Sequence, residues 1–166
     1  ARSPRSWRGC SPGPTTPDLS PGRNDAYLRG GAAGVEDGRF GGGLALDGVD
    51  DRVEVPFDRS IDLGGGDFTL TSWIRYAEPT RQGAILWAYR MGSGTTPQIW
   101  LRAEPASKRI RALMVVDRFT VSVASTAAYN DGAWHHVALR RADGRLALLV
   151  DGAEVSSATA PPGSVT

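Results

Sequence analysis

The amino-acid sequence predicts an all-β protein, an antiparallel β-sandwich. Roughly ten short runs with apolar residues at every second position follow one another at spacings of about 8–15 residues, the pattern of a sandwich. Glycine and aspartate stand between the runs, where tight turns need them. The chain has 166 residues, of which 21 are glycine and 11 are proline, and this composition disfavours long helices. One domain accounts for this length.

The first residues differ in composition from the rest of the chain. Residues 1–22 are rich in proline and arginine and carry few large apolar side chains beyond Trp7 and Leu19. Such a segment favours irregular structure because it offers little apolar surface to bury. We therefore expect an irregular N-terminal segment over residues 1–22 and a folded domain over residues 23–166.

The first strands are predicted on either side of an acidic turn. Apolar residues alternate over residues 43–47 and 52–56, and the segment between them begins with Asp47 and Gly48. Asp-Gly pairs favour turns because glycine accepts a positive φ without a steric clash. The sequence thus predicts a hairpin here.

Longer strands are predicted in the rest of the chain. One face of the strand over residues 67–77 is predicted to cover the core, and it carries Phe68, Leu70, Ser72, Ile74 and Tyr76. A hairpin is predicted over residues 146–155, because two alternating runs flank Asp151 and Gly152. Between these regions, strands are predicted over residues 84–89, 98–103, 110–116, 118–124 and 134–141.

Four motifs, in this order, resemble those of one family. Residues 38–56 (GRFGGGLALDGVDDRVEVP) are similar to the opening of laminin G-like jelly-roll domains in the concanavalin A-like lectin/glucanase superfamily. Residues 67–75 (DFTLTSWIR) resemble the family's FT-x-x-x-W strand, and residues 130–138 (NDGAWHHVA) its DGxWHHVA strand. Residues 146–155 (LALLVDGAEV) resemble its LxLxVDGxxV hairpin. We therefore interpret the chain as a laminin G-like jelly roll.

The resemblance carries further expectations. It implies a non-catalytic module of a larger, secreted, extracellular chain, with carbohydrate or protein as its ligand. The family's first and last strands pair with each other and have no counterpart in this sequence, so we expect a jelly roll that lacks its terminal strands. Apolar side chains around Leu44, Leu46 and Val53 are then expected to be exposed at a sheet edge.

Several classes of function are disfavoured. A formal net charge of +1 gives no basic surface for nucleic acid, and no run of about 18 apolar residues is present to span a membrane. The Glu-x-Asp-x-x-Glu strand of the superfamily's glucan-cleaving enzymes is absent from the sequence, as is the Gly-x-Ser-x-Gly elbow of serine hydrolases. Cys10 is the single cysteine, so no internal disulfide can form.

The sequence offers two sets of candidate ligands for calcium, and it leaves open whether the ion binds. The resemblance places calcium near the N-terminal loop, where this chain offers Asp18 and Asn24 as ligands. Asp47, Asp50 and Asp51 also supply oxygens that calcium prefers, although capping of their own turn is the simpler interpretation.

The adjacent histidines His135 and His136 are predicted to have structural roles. Neighbouring residues of a strand point to opposite faces, so the two imidazoles are poorly placed to share one ion. One is expected to pack beside the apolar residues of its strand and the other to lie on the second face.

The predicted ligand-binding residues lie on the strand over residues 98–103. Gln98, Trp100 and Arg102 share the face opposite its apolar residues, and a tryptophan between such neighbours can stack on a sugar ring while they bind hydroxyls. The alternative is that other parts of the chain cover the indole. The family resemblance, together with the absence of a catalytic motif, favours a non-catalytic module that binds carbohydrate or glycosylated surfaces. A structural or adhesive protein–protein module and a polysaccharide-cleaving enzyme with atypically spaced carboxylates are the alternatives.

Overall fold

The computed structural model describes residues 14–77, 83–89, 96–104 and 106–165. These residues form strands and turns, with one short 3-10 turn at Arg59–Ile61 and no α-helix among them, which confirms the all-β class. No helix in the described ranges is long and apolar enough to cross a membrane. The chain divides into two compact units, the N-terminal unit (Ala1–Ile61) and the C-terminal unit (Asp62–Thr166).

Five short strands in two small antiparallel sheets build the described part of the N-terminal unit. One sheet has the order β1-β2-β5, and the other is a hairpin of β3 and β4. Leu44 and Leu46 are exposed, as expected from the sequence, whereas Val53 is half-buried. The strands are β1 (Thr15–Thr16), β2 (Ala26–Arg29), β3 (Ala33–Gly38), β4 (Gly41–Ala45) and β5 (Arg52–Glu54).

The hairpin predicted between residues 43–47 and 52–56 is wrong. β4 pairs with β3, and β5 pairs with β2. The Asp47 carboxylate accepts the backbone N–H groups of Val49, Asp50 and Asp51 at 2.8, 3.3 and 3.4 Å, so the loop closes on its own backbone. Because of these pairings, the strands on either side of the loop belong to different sheets. The prediction that Asp47 caps its own turn is confirmed.

Eight strands in two four-stranded antiparallel sheets build the C-terminal unit. One sheet has the order β10-β9-β8-β7 and is called the β7–β10 sheet below. The other has the order β13-β12-β11-β6 and is called the β6/β11–β13 sheet. The strands are β6 (Phe68–Ile74), β7 (Gly83–Tyr89), β8 (Gln98–Glu104), β9 (Arg109–Val116), β10 (Phe119–Ala124), β11 (His135–Ala142), β12 (Arg145–Val150) and β13 (Ala153–Thr159).

The two sheets of the C-terminal unit enclose one apolar core. The strict alternation of β8, β9, β11 and β12 sends every second side chain inward, and the inward side chains of both sheets form a single cluster. Phe68, Leu70 and Ile74 pack against this cluster, which confirms the face predicted for their strand. The central side chains are Ile99, Leu101, Ile110, Met114, Val137, Leu139, Leu146 and Leu148. This arrangement confirms the predicted β-sandwich.

Two-residue Asp-Gly turns fix the register of the β11–β12 and β12–β13 hairpins. Asp143 and Gly144 have φ values of 51° and 70°, and Asp151 and Gly152 have φ values of 52° and 82°. Positive φ at both central residues is the mirror-image turn that matches the twist of paired strands. The hairpin predicted over residues 146–155 is thus confirmed.

A buried arginine fastens the segment after β13 to the sandwich. Arg141 lies on the inward side of β11 and is 7% exposed. Its guanidinium donates to the carbonyl oxygens of Gly163 and Pro161 at 2.8 and 3.1 Å. Val165 is fully buried in the same core, and its N–H donates to the Gly64 oxygen at 3.1 Å. Residues 160–165 therefore belong to the folded unit.

Candidate functional site

The outer face of the β7–β10 sheet holds the candidate binding site. On β8 the apolar residues point into the core, so Gln98, Trp100 and Arg102 point outward, as the sequence predicts. The register places Trp87 of β7 beside Trp100 and Tyr89 beside Gln98. Side chains of two adjacent strands therefore meet on one surface.

The exposed aromatic residues of this surface are Trp87 and Tyr89. Trp87 is 51% exposed and Tyr89 is 44% exposed, and their ring centroids lie 5.1 Å apart with the planes tilted by 44°. The Trp87 indole N–H donates to the Gln98 side-chain oxygen at 3.0 Å, which fixes the orientation of the indole. We call Trp87, Tyr89 and Gln98 the aromatic platform.

Trp100 lies under a guanidinium, which agrees with the interpretation that other parts of the chain cover its indole. Only 8% of Trp100 is accessible, and the Arg102 guanidinium carbon lies 3.5 Å from its ring centroid. Stacking of arginine on an indole is favourable because the cation meets the negative face of the ring. Trp100 is therefore a buried neighbour of Trp87 rather than an exposed ring of the platform. A role for Trp100, Gln98 and Arg102 in binding stays a prediction.

Sequence reasoning missed Trp87 and Tyr89, although the sequence contains a signal for them. Two aromatic residues two positions apart on a strand share one face. The neighbours Leu86 and Ala88 pack against the core, so the aromatic pair must point away from it. Alternation within residues 84–89 therefore carries this information, whereas the cover over Trp100 depends on its neighbours in space.

The rest of the outer face is mixed in character. Leu113 and Ser122 lie in the same row as Trp100, on β9 and β10 respectively. Glu104 is the one carboxylate among the described outward residues of this sheet, and its Oε1 lies 3.0 Å from Nε of Arg111. The surface thus offers apolar rings flanked by hydrogen-bonding groups.

The N-terminal loop brings the predicted calcium ligands Asp18 and Asn24 together. The Asp18 carboxylate accepts the N–H and the hydroxyl of Ser20 at 2.8 and 2.7 Å and the N–H of Asn24 at 2.8 Å. The hydrogen bonds from Ser20, followed by that from Asn24, hold the pKa of Asp18 below its usual value. The Asn24 amide donates to Ser60 Oγ at 2.9 Å. Calcium binding by this pair stays a prediction.

Asp47, Asp50 and Asp51 are the one group of three acidic residues in the described ranges whose carboxylate oxygens lie close enough together to share an ion. One oxygen from each lies within 4.8 Å of the others. Oδ1 of Asp47 accepts backbone N–H groups of its own loop, and Oδ2 of Asp51 accepts the Asp47 N–H at 2.8 Å. The backbone hydrogen bond from Val49 is the main reason why the pKa of Asp47 lies below its usual value.

The adjacent histidines point to opposite faces, as predicted. The His136 ring lies 5.2 Å from the Trp73 ring, its partner across the strands β6 and β11. His135 lies between the carboxylates of Asp131 and Asp151. The two imidazoles therefore do not share a site.

The chain was compared with protein families, with curated proteins and with solved structures. The profile of the laminin G-like family described as the Concanavalin A-like lectin/glucanases superfamily matches residues 47–166. No curated protein matches the chain. A solved structure of an S-layer domain-containing protein from Clostridium thermocellum (residues 221–444) aligns with a TM-score of 0.51 and 25% identity, over 82% of this chain and 61% of that one.

Domains LG4–5 of the mouse laminin α1 chain align over 62% of this chain with 16% identity and a TM-score of 0.48. This chain spans 26% of that structure's length.

Proposed function

Because the chain belongs to the laminin G-like family of the concanavalin A-like lectin/glucanases superfamily, we propose that it is a non-catalytic module that binds carbohydrate. The aromatic platform on the β7–β10 sheet is the observation that carries this proposal. Of the residues that the sequence indicated, Gln98 and Trp100 lie opposite the exposed Tyr89 and Trp87 on the neighbouring strand, and Arg102 stacks on Trp100.

The chemistry of the platform suits a sugar. The faces of pyranose rings are lined by C–H groups, and these pack on indole and phenol rings, while the hydroxyls at the ring edge need hydrogen-bonding partners. Trp87 supplies a half-exposed indole that a hydrogen bond already holds in place. A surface ordered before the ligand arrives loses less entropy on binding. Tyr89 widens the apolar area and brings a phenol hydroxyl.

Binding to a glycan array, followed by calorimetry on the glycans retained, tests the proposal. We expect Trp87→Ala to weaken binding by about tenfold or more, because stacking and burial of the indole are lost. Trp73→Ala is the matched control, since Trp73 is 36% exposed on the outer face of the β6/β11–β13 sheet. Absence of any glycan binding, or equal weakening by both substitutions, would contradict the platform.

The same surface separates carbohydrate binding from its alternatives. A protein partner would be retained in the presence of competing sugar, and its binding would define an adhesive module. A retaining or inverting glycosidase needs two carboxylates across the sugar. Among the described outward residues of the β7–β10 sheet only Glu104 carries one, and it is paired with Arg111. Hydrolysis of a polysaccharide that Glu104→Gln abolishes would therefore favour the enzymatic alternative.

We propose calcium as a ligand of the acidic loop at Asp47, Asp50 and Asp51. Carboxylate oxygens are the donors that calcium prefers, and three of them lie within 4.8 Å of one another. If the ion binds the folded state, calcium at about millimolar concentration raises the melting temperature by mass action. Asp50→Asn should abolish that rise, whereas a loss with Asp18→Asn alone would place the ion at the N-terminal loop. No rise in the wild type would contradict both sites.

We propose an extracellular location within a larger multidomain chain. Support comes from the superfamily and from the similarity to the S-layer domain-containing protein, which covers 82% of this chain. Surface labelling of intact cells that produce the full-length parent chain tests this location.

A further inference from the structure

A single imidazole bridges two carboxylates at one end of the C-terminal unit. Nδ1 of His135 lies 2.7 Å from Oδ2 of Asp151, and Nε2 lies 3.1 Å from Oδ1 of Asp131. The His135 side chain is 13% exposed. Asp151 begins the β12–β13 turn, and Asp131 belongs to residues 125–134, which connect β10 to β11 and are called the 125–134 loop. The imidazole thus joins a loop to a turn.

The bridge requires a second proton on the imidazole. A neutral imidazole has one N–H donor and one acceptor nitrogen, and an ionised carboxylate only accepts. With carboxylates on both sides, the neutral ring would direct a nitrogen lone pair at a carboxylate oxygen. The imidazolium form donates to both, and charge-assisted bonds of this kind are the stronger ones.

The groups around His135 favour the charged form. Partial burial alone lowers the pKa of His135, but the hydrogen bonds to Asp151 and Asp131 outweigh it and raise this pKa above its ordinary value. Desolvation acts to raise the pKa of Asp151, and the bonds from His135 and from the His136 amide leave it lowered. The pKa of Asp131 is lowered by the Ala133 amide and then by His135.

Two tyrosines complete the surroundings. The Tyr129 ring meets the His135 ring edge-on, with centroids 5.0 Å apart. Burial, aided by the charge of Asp151, raises the pKa of Tyr129. Burial, aided by the charge of Asp131, raises the pKa of Tyr76. Both phenols are therefore neutral over the range in which the imidazole titrates, and they add no competing charge.

We propose that His135 is a proton-dependent clamp, which fastens the 125–134 loop to the β12–β13 turn when charged and releases Asp131 when neutral. Asp131 is the partner released because its contact is the longer one and its side chain is 61% exposed. Asp151 stays in place because its other oxygen also accepts the His136 N–H at 2.9 Å.

Release is local and leaves the sandwich intact. The Gly132 N–H donates to the Tyr76 oxygen at 3.1 Å, and the Tyr129 N–H donates to the Lys108 oxygen at 3.0 Å. These bonds do not depend on the imidazole. The neutral state is therefore a folded protein whose loop is held by fewer contacts.

The pH range of the clamp follows from the directions of these shifts. Because the pKa of His135 is raised in the folded state, its contribution is complete below the ordinary histidine value of 6.5 and is lost as pH rises through the folded value. Because the carboxyl pKa values are lowered, their contribution is complete above 3.8 and is lost as pH falls through the folded values. The clamp is thus fully formed between these limits.

NMR titration of the full 166-residue chain tests the proposal. The chain has two histidines, so His136→Gln leaves the His135 imidazole as the single titrating ring. We expect its pKa to lie above 6.5 and to fall with Asp131→Asn and with Asp151→Asn. A pKa at or below 6.5 would overturn the clamp.

Hydrogen exchange tests the release independently. Protection factors in the 125–134 loop should fall several-fold from pH 6 to pH 9, while those in β8 and β9 stay constant. Asp131→Asn introduces an N–H that can donate to the neutral ring, so loop protection in this variant should no longer depend on pH. Loop protection that is constant with pH in the wild type, or that falls equally in Asp131→Asn, would overturn the proposal.

Discussion

The two units of the chain differ sharply in how they bury apolar side chains. In the C-terminal unit, Ile110, Met114 and Leu148 are completely buried between two four-stranded sheets. In the described N-terminal unit the buried apolar side chains are Ala26, Leu28 and Ala32, while Phe40 is 76% exposed. Two sheets of three and two strands offer too few inward positions to enclose a core.

The difference shows what strand length and composition contribute to a β-fold. β9 and β11 have eight residues each, and every second one can be large and apolar. β3 and β4 are short and glycine-rich. Their backbones approach each other closely because glycine has no Cβ. A Cβ at Gly38 would collide with the backbone carbonyl of Gly42. Pairing of glycine strands thus brings backbones together without creating apolar surface to bury.

Hydrogen exchange should show the largest contrast between the units. Amides of β8, β9, β11 and β12 are expected to exchange only through global unfolding, whereas amides of β3 and β4 open locally and exchange orders of magnitude faster. Mass-spectrometric exchange resolved by segment measures this difference. Equal protection in β4 and β9 would mean that the N-terminal unit is stabilised by more than its own buried side chains.

Truncation of one leucine in each unit should have very different costs. Leu148→Ala is expected to reduce the free energy of unfolding by about 2–5 kcal/mol, because a fully buried side chain is replaced by a cavity. Leu44→Ala, at a position 42% exposed, should change it by no more than about 0.5 kcal/mol. Chemical denaturation of both variants measures the two values, and similar costs would break the comparison.

Arg141→Met should have a smaller but specific effect within the C-terminal unit. The substitution keeps most of the side-chain volume but leaves the carbonyl oxygens of Pro161 and Gly163 without their donor, at a cost of about 1–3 kcal/mol. Arg140→Met is the matched control, since Arg140 is exposed on the same strand. An unchanged midpoint of denaturation for Arg141→Met would show that the two hydrogen bonds from the guanidinium do not contribute to holding residues 160–165.

The sequence predicted most of the C-terminal unit because local signals and tertiary structure agree there. Period-two alternation located β6 to β13 to within a few residues, and the Asp151-Gly152 pair located the turn between β12 and β13. In the N-terminal unit the partner of each strand is set by contacts distant in sequence. Nothing local indicates that β5 pairs with β2 rather than with β4.

The sequence predicted which face of β8 carries the candidate site, but it did not predict which side chains on that face are exposed to solvent. Alternation correctly placed Gln98, Trp100 and Arg102 on the outer face of β8. The Arg102 guanidinium covers Trp100, and Trp87 is its cross-strand neighbour on β7; neither fact follows from sequence spacing. The bridge between His135 and Asp151 likewise joins two motifs that are 16 residues apart.

The two Asp-Gly turns also differ in how many structural requirements their first residue must meet. Asp143 and Asp151 adopt the same left-handed backbone, which asparagine and glycine tolerate as well as aspartate does. At position 143 this backbone conformation is the main requirement. A library of substitutions selected for folded protein should therefore contain asparagine and glycine at this position. Position 151 must also offer both carboxylate oxygens, one to the His135 ring and one to the His136 amide. Mutational tolerance at position 151 should therefore narrow to aspartate at acidic pH and widen to include asparagine at alkaline pH.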